Sequence, residues 1–183
     1  MKIAIIGGIG TGKSEVGRII ASLGNKVYNA DLIYKEITEE KDYIDTIDKE
    51  FPGVVVDGKI DRQILGKLVF TNREKLSKLN SLAHPLVQER IEKLVQEHET
   101  VYIEVPVFVG TTLETFFDKV ILVEADMKIR IARIMQRTGY DKEHIKRIIA
   151  AQPSDKTLEK FADVIVINNK DLVHLRQQIV KVL

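Results

Sequence analysis

The run Gly7-Gly-Ile-Gly-Thr-Gly12-Lys13-Ser14 has the spacing G-x-x-x-x-G-K-S, which suits the binding of a polyphosphate. Glycines let a tight turn aim successive backbone N–H groups at one point, and a following helix adds the positive end of its dipole. Lys13 would supply a mobile charge for the β- and γ-phosphates, and the Ser14 hydroxyl a ligand for Mg²⁺. The dinucleotide fingerprint G-x-G-x-x-G is not matched by either glycine triplet of this run.

Three more constellations could do chemistry. Asp31 follows the second apolar run of the chain; a carboxylate there could orient an alcohol and take its proton, or could N-cap the next helix. Glu104 closes Val101-Tyr-Ile-Glu104, a position that in phosphate-loop enzymes often holds Mg²⁺ through water, with a plain strand-end carboxylate as the alternative. Arg130, Arg133 and Arg137 recur at i, i+3 and i+7 on a helix expected to start near Asp126. After Thr138-Gly139-Tyr140, a second helix over 141–151 adds Lys142, Lys146 and Arg147. Such a basic hairpin fits a lid whose arginines neutralise a transferring phosphoryl group; a solvated charged face is the alternative.

These groups need a frame that brings them to one edge. Strands are expected at 2–6, 26–28, 101–105, 119–123 and 164–167, alternating with helical periods, the pattern of an α/β fold with a parallel sheet. The first helix, 14–23, places Val16, Ile19, Ile20 and Leu23 on one face and stops at Gly24. Residues 31–99 hold too many elements for one crossover: helices near 32–38, 43–51, 62–70, 73–82 and 86–98, punctuated by Pro52-Gly53, Asp57-Gly58 and His84-Pro85. They read as a helical insertion beside a nucleotide core.

Composition limits the partners. Lys plus Arg number 28 against 27 Asp plus Glu, so no global field recruits nucleic acid or an acidic membrane. No cysteine is present, which removes disulfides, thiolate metal sites and a cysteine nucleophile. His84, His98, His144 and His174 are scattered without ligand spacing. The chain opens on a strand instead of a signal peptide, and no apolar run reaches membrane-spanning length, so a cytoplasmic protein without an obligate protein partner is expected. Asn169-Lys170-Asp171 lacks the intervening residue of the guanine-reading Asn-Lys-x-Asp, and no Asp-x-x-Gly switch is present, so a GTPase is not expected.

Taken together, the motifs resemble the dephospho-coenzyme A kinase family along essentially the whole chain. The loop resembles the family's Gly-Gly-Ile-Gly-Ser-Gly-Lys-Ser, and Ala30-Asp31 with Lys35 resembles Asp-Ala-Asp-x-x-x-Arg. Gly58-Lys-Ile-Asp-Arg62 through Leu65 to Val69-Phe70, then Leu79-Asn80 and His84-Pro85, resemble its helical CoA-binding region. Arg137, Arg147 to Gln152, and Ala162 to Asn168 resemble its lid and adenine-side segments. The resemblance implies ATP as donor, dephospho-CoA as acceptor, Mg²⁺ as cofactor, and a P-loop-type five-stranded parallel sheet in the order 2-3-1-4-5 with helices on both faces. It implies a core of 1–30, 100–128 and 156–183, a substrate region over 31–99 and a lid over 129–155. Asp31, Lys13 and Arg137 are then catalytic; Gly8, Gly10, Thr11, Gly12, Lys13, Ser14, Glu15, Arg133 and Asn168 hold ATP; Asp31, Lys35, Arg62, His84 and Arg147 hold the acceptor; Ser14 and Glu104 hold the metal. The chain departs from the family pattern at Ile6, Glu15, Asn29, Gln88 and Gly110.

Overall fold

The computed structural model describes residues 1–183, the side chain of Phe70 excepted. The chain order is β1 (Lys2–Ile6), α1 (Lys13–Ser22), β2 (Lys26–Asn29), α2 (Ala30–Ile37), α3 (Lys41–Glu50), β3 (Val55–Val56), β4 (Lys59–Ile60), α4 (Arg62–Phe70), α5 (Arg73–His98) and β5 (Val101–Glu104). A 3-10 turn (Thr112–Thr115) leads to β6 (Lys119–Glu124), α6 (Met127–Thr138), α7 (Lys142–Ala150), α8 (Asp155–Glu159), β7 (Val164–Ile167) and α9 (Leu172–Val182). Two compact units result: Met1–Asn29 with Leu94–Leu183, and Ala30–Lys93.

The first unit is built on a five-stranded sheet in the order β2-β5-β1-β6-β7, with every pairing parallel. Counting the sheet's own strands along the chain, this is the expected 2-3-1-4-5. Parallel strands are covered on both faces and therefore read as unbroken apolar runs; Ile3 to Ile6 of β1 are all buried. On one face α1 and α9 pack Val16, Ile19, Ile20, Leu175 and Ile179 against Ile3, Ile5, Tyr102, Ile121, Val123 and Val166. Ile20 is fully buried there, so Ile20→Ala costs about 2–5 kcal/mol of stability. The helix ends as expected: Leu23 N–H still bonds back to Ile19 and Ile20, and Gly24 takes φ +90°.

The second unit is mostly helical, with two differences from expectation. Asp57-Gly58, read as a bare turn, closes a two-stranded antiparallel hairpin of β3 and β4; both residues have positive φ, 50° and 73°, as the tight hairpin turn requires. The two helices expected either side of His84-Pro85 are one 26-residue helix, α5, with Pro85 inside. Proline removes one ladder hydrogen bond, yet Leu79, Ala83, Val87 and Ile91 are buried along this helix on both sides of it, and that burial carries the helix through. Asp61 caps α4 by accepting from Gln63 and Ile64 N–H at 2.8 and 2.9 Å. Arg62 donates to Thr38 Oγ1 at 3.1 Å, and the Tyr34 and Tyr43 hydroxyls meet at 3.1 Å.

Candidate active site

The phosphate loop follows from β1 into α1 and its shape is set from inside. Thr11 is fully buried and its Oγ1 donates to Gly8 O at 2.9 Å. Gly12 N-caps α1 in the left-handed region at φ +97°, where a Cβ would stand 2.2 Å from Asn168 Nδ2; no other residue fits. Lys13 Nζ donates to Gly7 O at 2.7 Å and Gly8 O at 3.2 Å, arched over the loop. A cavity of about 480 Å³ opens at the head of α1, lined by Gly10, Gly12, Lys13, Ser14, Glu15, Arg133, Arg137 and Asn168. Eight of the loop, lid and adenine-side residues expected from the sequence therefore share one space.

Ser14 Oγ donates to Glu104 Oε2 at 2.9 Å, and Glu104 is brought there because Ile5 and Glu104 are register partners on β1 and β5. A hydroxyl and a carboxylate are hard oxygen donors suited to Mg²⁺. Among the described residues no group of three or more His, Cys, Asp or Glu could hold a metal ion.

Several expected contacts have a different character. Gly8 and Thr11 lie outside the cavity lining; a Cβ on Gly8 would stand 2.2 Å from Arg130 Nη2. Arg133 donates to the carbonyls of Thr11 and Asn168 at 3.2 and 3.1 Å, so most of its guanidinium is engaged in bracing the loop. Asn168, 5% exposed, donates Nδ2 to Thr11 O at 2.8 Å. Arg130 does not share the phosphate side with Arg133 and Arg137: it is 3% exposed, pairs with Asp155 at 3.2 Å and donates Nε to Ile9 O at 2.9 Å. Arg137 is exposed at the cavity, and among the described residues it pairs with no acid. Arg147 is exposed on α7 and does not line the cavity.

The acceptor-side residues all belong to the second unit apart from Arg147. Asp31 occupies the first turn of α2, one residue inside the helix rather than at its cap, and is exposed. Lys35 and Arg62 are exposed too, and His84 is half-buried on α5, where burial lowers its pKa and favours the neutral ring.

Sequence reasoning missed Lys170, Asp171 and Leu172, which also line the cavity. Lys170 and Asp171 sit in the loop after β7 and Leu172 opens α9, and the rule that ligands bind beyond the carboxyl ends of parallel strands was the available signal. Asp171 is occupied as the cap of α9, accepting from His174 N–H at 2.9 Å and meeting its Nδ1 at 2.8 Å; the backbone bond from His174 leads the causes that hold its pKa low. Glu124, closing β6, was also missed: among the described residues its Oε1 is the buried side-chain oxygen without a partner. Burial, then Asp155 and Glu159, push its pKa up against the opposing pull of Arg130.

With that geometry in place, a family model for dephospho-CoA kinase matches residues 1–174. The chain belongs to that family. Dephospho-CoA kinase of Fusobacterium nucleatum is 36% identical over 183 residues, spanning 98% of this chain and 95% of the relative. The solved dephospho-CoA kinase of Campylobacter jejuni aligns over 100% of this chain and 96% of its own, with TM-score 0.70 and 29% identity. A structure from Thermus thermophilus reaches TM-score 0.87 at 28% identity over 100% of this chain and 95% of its own. The family's phosphate-loop α/β fold is thus shared end to end. Among the described residues no helix is long and apolar enough to cross a membrane.

Proposed function

We propose that this member of the dephospho-CoA kinase family transfers the γ-phosphoryl group of ATP to the 3′-hydroxyl of the dephospho-CoA ribose, the last step of coenzyme A biosynthesis. The observation that carries the reading is the Ser14–Glu104 hydrogen bond of 2.9 Å, in a loop arched over by Lys13 at the mouth of a polyphosphate-sized cavity. Loop amides and Lys13 seat the ATP phosphates. Ser14 and Glu104 would hold Mg²⁺, which screens the charge shared by the β- and γ-phosphates. Arg137, exposed at the cavity, is suited to the charge that develops on the moving phosphoryl group, while Arg133 and Asn168 keep the loop in shape.

Asp31 accepts the proton of the 3′-hydroxyl as that oxygen forms its bond to phosphorus and the bond to the β-phosphate oxygen breaks, releasing ADP. Residues 31–99 receive the acceptor, with Lys35, Arg62 and Arg147 meeting its phosphates and neutral His84 offering a hydrogen bond; residues 129–155 serve as lid. The reading carries a cytoplasmic location, where ATP and Mg²⁺ are supplied, and needs no nucleic acid or protein partner.

The test is ADP release measured against a panel of dephospho-CoA, adenosine, 4′-phosphopantetheine and shikimate, with and without Mg²⁺. Turnover should be confined to dephospho-CoA and should stop on chelation. Comparable kcat/KM with another member of the panel overturns the acceptor assignment.

A further inference from the structure

Ile9, the third residue of the phosphate loop, is held at all three of its parts by the helical hairpin. Its N–H donates to Gln152 Oε1 at 2.8 Å, just past the end of α7. Its carbonyl accepts from Arg130 Nε at 2.9 Å, on α6. Its side chain packs on Ile131, Ile134, Ile145 and Ile149, which join the two helices. Arg130 is itself fixed, 3% exposed and paired with Asp155 at 3.2 Å.

This matters because a phosphate loop works by aiming N–H groups at one point. The Ile9 N–H is instead given to Gln152. Two consecutive peptide planes, one held at the Ile9 N–H and the next at the Ile9 carbonyl, leave the chain little choice of φ and ψ at Ile9, so Gly10 enters its left-handed conformation, φ +79°, from a set direction. Glycine-rich loops otherwise lose much conformational entropy when a ligand orders them; a loop already ordered by its neighbours escapes that cost.

We propose that Gln152 and Arg130 are positioning residues for nucleotide binding: by clamping Ile9 they hold the loop in the shape that receives the ATP phosphates. The proposal rests on the loop being the ATP seat. It also makes the root of the hairpin and the loop one mechanical piece.

The experiment uses the full chain and three variants, Gln152→Leu, Gln152→Glu and Arg130→Lys, with ATP affinity measured calorimetrically in the absence of acceptor. Gln152→Leu should weaken ATP binding about five- to tenfold, the worth of one net hydrogen bond, and raise KM for ATP equally. Its kcat and its KM for dephospho-CoA should change less than about twofold, as expected when uniform binding is lost. Gln152→Glu, which still accepts from Ile9, should stay within about threefold of the parent. Exchange of the Ile9 amide should accelerate in Gln152→Leu alone. In the double variant of Gln152→Leu with Arg130→Lys the losses should combine to less than their product, because both act on one residue, Ile9. Unchanged ATP affinity in Gln152→Leu, or equal loss in the Leu and Glu variants, overturns the proposal. If Gln152→Leu melts early, Arg130→Lys decides: it can keep the pair with Asp155 but not the bond to Ile9, and undiminished affinity there overturns the clamp. A parent protein that does not bind ATP at all sinks the reading of the loop instead.

Discussion

Asp31 lies in the first turn of α2 and not at its N-cap, so the capping account of this carboxylate loses its geometric basis. Asp31→Asn keeps the size and removes the proton acceptor. The expected result is a fall in kcat of about a hundredfold or more with a stability change below about 1 kcal/mol, the worth of an acid near a helix N-terminus. A variant that melts early yet keeps its kcat would return Asp31 to a structural role and make Glu104 the next candidate. Lys13→Ala should cost about a hundredfold or more in turnover while the fold survives; near-normal turnover would remove Lys13 from the mechanism. The loop residues were legible because their meaning is local: Lys13 and Ser14 follow their glycines in sequence. Bracing was not, even for Asn168, which the resemblance had placed with ATP. Gln152 reaches Ile9 from 143 residues away, and Asn168 reaches Thr11 from 157; nothing in the surrounding spacing marks an amide whose partner is supplied by the fold.

The α6–α7 hairpin has two mechanically different ends. Its root is anchored through Ile9 and a buried isoleucine cluster, whereas 138–141 at the tip are exposed around Gly139, φ +71°. Amides of the tip should exchange quickly in the free protein and gain protection when ATP and acceptor are both present, while the root amides of α6 stay protected throughout. Fast exchange along the whole of α6 would contradict the anchored root. Arg137→Ala, near the tip, should lower kcat more than it raises KM, because its partner charge develops during transfer. Elements with long, single-minded patterns were readable: all five strands of the parallel sheet lie within two residues of expectation at each end. The missed ones had a physical reason. Pro85 is a breaker by its own chemistry, overruled by burial on either side of it. The β3–β4 hairpin has strands of two residues each, too short for alternation to register.

For the molecule as a whole, the near balance of charge hides one poorly compensated acid. Glu124 has a raised pKa in the fold, so between the ordinary glutamate value, about 4.3, and that raised value the folded state holds more protons than the unfolded state. Stability therefore falls as pH climbs through that window. Glu124→Gln should melt higher than the parent at pH 7, and the gain should vanish at about pH 3, where both states of the parent are protonated; a lower melting temperature at pH 7 would show that Glu124 earns its place through Arg130. The architecture was legible from alternating apolar runs, but this acid was not, since its cost depends on Asp155 and Glu159 standing near it. One more property follows from the hairpin tip, where Tyr140 is half-exposed and meets His144 edge-on at 4.7 Å between centroids. The chain contains no tryptophan, so Tyr140→Trp would give a molecule with a single indole emitter, silent to the core and to the anchored root, whose colour and intensity report the surroundings of the tip alone.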